Sequence, residues 1–289
     1  MIKNLFIYVA LGFPSLAISN TLAMQSLWSQ HCQQVATDPG LFLKKLIKSE
    51  NRLSFNNHGG LLNGGVCWWH SRLTRTSQYL AVFNPDEKPL SELEAYSQVK
   101  RLRSGKPTTF NGYKNLYEFS IAHPNAIQKN LEEWQVSNGG FQLGFLDGLT
   151  GTTTLPAVEM KILMDKTFQQ MKLQRPLFQV LQLPGITAHA WLITGIQQTD
   201  KGYRFQVVDS NYSQIQTWNY QYGDSGFSYG RLPFVNYTTY RGILEEESLS
   251  RRLTEVCLNI NRPGSQTYFD SWVDIDTELD AKTNNASSN

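Results

Sequence analysis

The apolar residues change period near Arg175, and that change decides the class of fold. Before it the spacing is helical. Leu27, His31, Val35, Leu41, Leu43 and Leu46 recur at helical steps over residues 24–50, with Asp38-Pro39-Gly40 as a break. Residues 51–66 are rich in Asn and Gly and read as loop. A helix is expected from about Val66, its stripe formed by Trp69, Leu73, Thr76, Leu80 and Phe83. Another spans 89–104 with Leu90, Leu93, Tyr96 and Leu102 inward, and Pro156 opens a third over 156–173. The stretch 110–150 mixes short helical pieces with turns. After Arg175 come strand patterns at Leu177–Leu183, Ala188–Ile196, Tyr203–Asp209, Gln214–Tyr222 and Leu232–Tyr240, then helical spacing over 243–257. Helices first and strands afterwards predict an α+β fold, a helical front lobe packed on a C-terminal antiparallel sheet.

With 289 residues, 40 % of them hydrophobic, the chain can bury a sizeable core. The net charge of +2, with no basic stripe, argues against a nucleic-acid partner. Lys3, the apolar run from Leu5 to Phe13 and the small residues after Pro14 have the order of a secretory signal peptide. Cleavage is expected after Ser19 or Ala23, giving a protein exported to the periplasm or medium. No later segment approaches the about 20 apolar residues of a membrane span. The expected organisation is a signal peptide at 1–23, one folded domain at 24–275, and a polar tail at 276–289 that reads as disordered. Cys32, Cys67 and Cys257 all follow the signal. An odd count leaves either one disulfide and one thiol, or three thiols.

Cys67 follows Asn63-Gly-Gly-Val, at the expected start of the apolar-striped helix. There, unpaired N–H groups and the helix dipole stabilise a thiolate, the nucleophilic form of cysteine. Gly64 and Gly65 allow close backbone approach, so that the Cys67 amide can donate to an oxyanion. His189 lies on a strand within Thr187-Ala-His-Ala-Trp, and the next strand ends in Val208-Asp-Ser-Asn. A three-residue loop at 200–202 pairs residues 199 and 203 and sets His189 opposite residue 213. His189, Asp209 and Asn211 then share a face, with Asn211 the nearer in register; a bulge or a longer loop reverses that order. Either side chain can fix the imidazole tautomer, as a base requires. If Cys67 is the nucleophile, Cys32 and Cys257 are the pair available for a disulfide.

Gly65-Val-Cys67-Trp at a helix start, Ala188-His-Ala190 on a strand and Asp209 or Asn211 at the end of the next one resemble the papain-like (clan CA) cysteine peptidases. The Cys-to-His and His-to-Asp separations are 122 and 20 residues. The combination with Asp209 is also similar to the YopT-type effector peptidases, whose third catalytic residue is Asp. The resemblance covers residues 55–215 and implies a thiol protease with Cys67 as nucleophile, His189 as base and Asp209 or Asn211 as orienter. It also implies a protein or peptide substrate and no cofactor. The papain Gln six residues before the Cys is replaced by Leu61, which leaves Asn63 and Asn57 as oxyanion candidates.

Two other readings share these parts. Ala188-His-Ala-Trp191 also matches a transglutaminase-like fragment, although Cys and His are much closer together in that family. A secreted binding protein would use the strand aromatics Trp218, Tyr220, Tyr222, Phe227 and Tyr229. The five histidines show no metal-binding spacing, and no phosphate-binding loop is present. His58 and His70 flank Cys67 and are local alternatives to His189.

Overall fold

The computed structural model describes residues 15–59, 65–139, 153–185 and 188–286. Residues 1–14, which carry much of the expected signal peptide, and Asn63 lie outside them. Helix α1 (Ser15–Thr37) runs across both expected cleavage points, and α2 (Leu41–Leu46) follows the Asp38-Pro39-Gly40 break. The helix that opens at Cys67, α3 (Cys67–Leu80), is buried along nearly its whole length. Strand β1 (Ala81–Asn84) continues directly from it and pairs in parallel with β2 (Thr108–Asn111). Phe83 is therefore a strand residue, stacked on Phe110 at 5.3 Å, rather than the last member of the α3 stripe. Its Ala-Val-Phe-Asn segment favours extended backbone, and a parallel partner 27 residues on is available to it.

Helix α4 (Glu92–Arg103) opens on a capping box between Ser91 and Glu94. It turns Ala95, Val99 and Leu102 inward, while Leu93, expected on that face, is 76 % exposed. Helices α5 (Leu116–Ala122) and α6 (Pro124–Trp134) follow, and α6 ends in a π-helical turn at Gln135–Gly139. Beyond α7 (Ala157–Met171), six strands form one antiparallel sheet: β3 (Leu177–Gln182), β4 (Ala188–Thr199), β5 (Gly202–Asp209), β6 (Gln216–Gln221), β7 (Phe227–Tyr229) and β8 (Leu232–Tyr237). Their order is β6-β5-β4-β3-β8-β7. Helices α8 (Tyr240–Asn259), α9 (Ser265–Asp270) and α10 (Ile275–Ala286) return to the front lobe. The expected α+β class holds. No described helix is long and apolar enough to cross a membrane.

Alternation along β4 divides the sheet between two cores. Trp191 and Ile193 face a cluster closed by Met160 and Met164 of α7, while Ala190 and Leu192 join Leu46, Phe178 and Val208 beneath the helical lobe. The strand aromatics mostly fill the first cluster: Tyr220 and Phe227 are buried there, and only Tyr222 is well exposed. The β4–β5 turn has two residues rather than three, because Thr199 pairs with Gly202. Gly202 has a φ of 150°, and a Cβ there would collide with the Tyr220 carbonyl.

The tail corrects an expectation. Residues 276–286 belong to α10, which places Ile275 and Leu279 in the core at helical spacing. Asp276 accepts from Arg72 at 2.7 Å, Arg241 at 2.8 Å and Trp134 at 2.5 Å. Asp276 and Glu278 of α10 pair with the buried arginines Arg72 and Arg252, while Asp280 and Lys282 stay exposed. Arg72 and Arg75 also share the carboxylate of Glu245, at 2.8 and 2.5 Å.

Cys32 on α1 and Cys257 on α8 form a disulfide with Cα atoms 5.5 Å apart, and Cys67 is the free cysteine. The bridge closes 225 residues of chain and clamps the two ends of the helical lobe. Thiol titration of the denatured, unreduced protein is expected to find one reactive thiol. A Cys32→Ser/Cys257→Ser variant is expected to lose about 2–5 kcal/mol of unfolding free energy in denaturant titrations. Three titratable thiols, or an unchanged midpoint, would contradict the bridge.

Candidate functional site

Cys67 is the first residue of α3, and no side chain caps Val66 before it. The first-turn N–H groups therefore have no capping acceptor and concentrate positive potential at the cysteine. Cys67 is 8 % exposed, and its Sγ lies 3.9 Å from the Ala188 carbonyl at the start of β4. The next residue of β4 is His189, whose imidazole lies close enough to Cys67 for the two to interact electrostatically.

His189 Nε2 and Asp209 Oδ1 are 2.7 Å apart, and both side chains are buried. With Nε2 committed to the carboxylate, Nδ1 is the nitrogen left to face sulfur. Burial opposes the imidazolium, but the Cys67 charge and the hydrogen bond to Asp209 outweigh it. The His189 pKa is pushed up to about 10.

The hairpin register brings Asp209 closer without setting it opposite His189. Besides the shorter turn, β4 carries a bulge between Ile193 and Gly195, so Trp191 pairs with Asp209. Continuing that pairing sets His189 opposite Asn211 rather than residue 213, two positions closer to Asp209 than the three-residue loop implied. Asn211 does not hold the imidazole. Its backbone N–H donates to Asp209 Oδ1 at 2.9 Å, and its amide group donates to the Tyr229 hydroxyl at 3.0 Å. Tyr229 in turn donates to Asp209 Oδ2 at 3.3 Å and places its ring 5.3 Å from that of His189. Burial and the neighbouring Asp209 charge raise the Tyr229 pKa, which keeps the hydroxyl protonated as a donor.

Asn57, one of the two oxyanion candidates, is a strut. Its Oδ1 accepts from the Val66 N–H at 2.8 Å, and its Nδ2 donates to Asn211 Oδ1 at 3.1 Å. Its own N–H donates to the Ser210 carbonyl at 2.6 Å. The loop before Cys67 is thereby tied to the turn after Asp209. A Cβ at Gly65 would come within 2.8 Å of Asn57 Nδ2, so glycine is what lets the strut in. Gln135, on the π-helical turn, donates to the Gly65 carbonyl at 2.9 Å. Neither Tyr229 nor Gln135 carried a local signal for this position, since each arrives from a distant segment.

The flanking histidines take other parts. His70 hydrogen-bonds the Phe55 carbonyl through Nε2 at 3.1 Å, and burial pushes its pKa down to about 4, so it stays neutral. His58 is exposed and stacks on Phe55 at 5.9 Å. Among the described residues, no group of three or more His, Cys, Asp or Glu is gathered to hold a metal ion. Comparison of the chain with protein-family models, with curated proteins and with solved structures finds no match.

The two buried histidines are expected to separate in a proton NMR titration. His189 should remain an imidazolium from acid up to a midpoint near 10, whereas His70 should lose its proton near 4. In Cys67→Ser or Asp209→Ala the His189 midpoint should fall toward the ordinary value of about 6.5. A wild-type midpoint already near that value would contradict the charged contact.

Proposed function

We propose that the protein is an exported papain-like cysteine hydrolase that cleaves amide bonds in protein or peptide substrates. The observation that carries this reading is the Cys67–His189–Asp209 contact, built from a helix N-terminus and two adjacent antiparallel strands in the chain order Cys, His, Asp. In this reading the Cys67 thiolate attacks the scissile carbonyl carbon, and the oxyanion that forms accepts from the N–H groups of the first turn of α3. The His189 imidazolium then gives its proton to the leaving amine as the C–N bond breaks, leaving a thioester on Cys67. Neutral His189 next takes a proton from water as that water attacks the thioester. The acid leaves, and the thiolate–imidazolium pair is restored. Asp209 stays ionised throughout and holds Nε2, so that Nδ1 faces sulfur.

Asn211 and Asn57 act as positioning residues in this scheme, because neither touches the imidazole. The His189–Asp209 bond also favours Asp209 over Asn211 as the orienter. The wide Cys-to-His separation favours hydrolysis over transglutaminase-like transfer, and the packing of four of the five strand aromatics into or against the sheet's own core disfavours a binding surface built from them.

Incubation of the purified protein with a thiol-directed peptide activity probe, followed by mass spectrometry, is expected to place the label on Cys67. Cys67→Ala should fold and lose peptide hydrolysis. Asp209→Ala should lose about four orders of magnitude in turnover, the scale on which a triad fails without its carboxylate. Asn211→Ala should lose roughly ten-fold, as expected for one supporting hydrogen bond. Activity retained in Cys67→Ala, or products formed only when an amine acceptor is supplied, would overturn the assignment.

A further inference from the structure

The face of α3 that carries Cys67 and His70 continues one turn further to Thr74. Beyond His70 it opens into a cavity of about 280 Å³, roofed by the Ser49–Phe55 segment and by the turn after β5. Three polar groups on its walls have no hydrogen-bond partner among the described residues: Arg52 Nε, Thr74 Oγ1 and Ser210 Oγ. Thr74 and Ser210 are 1 % and 4 % exposed. Buried hydroxyls without partners are uncommon and call for an occupant that supplies them.

Arg52 identifies the chemistry of that occupant. It is half-buried, and no carboxylate pairs with it among the described residues. The deeply buried arginines here each have an acidic partner: Arg72 and Arg75 have Glu245, and Arg252 has Glu278. Asp209 lines the same cavity but forms no ion pair with Arg52. Its Oδ1 is taken by His189 Nε2 and the Asn211 N–H, and its Oδ2 by Tyr229. Arg52 offers a planar donor fork, and the two hydroxyls add O–H donors from α3 and from the β5 turn.

We propose that this cavity is a binding site for a small oxyanion, a phosphate or carboxylate group, held by Arg52 with Thr74 and Ser210. The site is distinct from the Cys67 thiol, although His70 and the Asp209–Ser210 segment line it. A bound anion fastens the Ser49–Phe55 segment to the turn that carries Asp209. It thereby stiffens the same junction that Asn57 and Asn211 brace from the other side.

Calorimetric titration of the Cys67→Ser protein with inorganic phosphate, and separately with acetate, at matched ionic strength tests the site without requiring any catalytic reading. Saturable binding of at least one anion is expected, accompanied by a raised thermal midpoint. Arg52→Gln should weaken that binding about ten-fold or more, the scale for loss of a charged hydrogen-bonding group. Ser210→Ala and Thr74→Val should each weaken it several-fold, whereas Lys201→Gln at the exposed β4–β5 turn should leave it unchanged. Neither variant at the hydroxyls removes a hydrogen bond made within the protein, so both are expected to fold and to report even if Arg52→Gln does not. No saturable binding of either anion would overturn the proposal. So would affinity lowered as much by Lys201→Gln as by the three cavity variants.

Discussion

Arg72 and Arg75 lie about one turn apart on α3, and each is 1 % exposed. Neither guanidinium can occupy that depth without the carboxylates that meet it: Glu245 from α8 for both, and Asp276 from α10 for Arg72. Burial works against the Arg72 charge, but Asp276 and Glu245 overcome it and hold the pKa above its usual range. Removing one partner from such a network leaves a buried charge uncompensated, at a cost of about 3–5 kcal/mol. The pairing therefore fixes the rotation and axial position of α3. Trp134 completes the seat by stacking 4.3 Å from the Arg72 guanidinium while its Nε1 donates to Asp276.

Everything chemical in the molecule is referred to that helix. Its first residue is Cys67, and no side chain caps its first turn. Ser71 donates to the Ala190 carbonyl at 3.3 Å and so sets α3 against β4 one residue beyond His189. On the other flank, Asn57 and Asn211 link the Val66 N–H to the turn that holds Asp209. Sulfur, imidazole and carboxylate thus arrive from three segments, each braced by polar groups that are themselves satisfied. Such bracing is what keeps a reactive contact in one geometry rather than several.

Much of this was legible in the chain because the signals are local. Glycines before Cys67, an apolar stripe after it, and alternation around His189 each lie within one element, and helices followed by strands gave the α+β class. The odd cysteine count singled out Cys32 and Cys257 once Cys67 was set aside. What escaped depends on partners remote in sequence. A bulge at Gly195 and a turn one residue shorter moved the β4–β5 register, which no count of turn residues reveals. Residues 276–286 read as a solvated tail because nothing near them announces Arg72, some 200 residues earlier, as the partner of Asp276. Tyr229 read as one of five strand aromatics, and its hydroxyl is understood only beside Asp209.

The proposed chemistry requires that His189 activate Cys67 as a nucleophile. Its most direct test is the rate of Cys67 alkylation by iodoacetamide at neutral pH, followed by mass spectrometry of the modified peptide. Alkylation is expected to be much faster than that of an ordinary free thiol, and to fall to the ordinary rate in His189→Ala. A wild-type rate no faster than that of an ordinary thiol, unchanged in His189→Ala, would contradict the assignment.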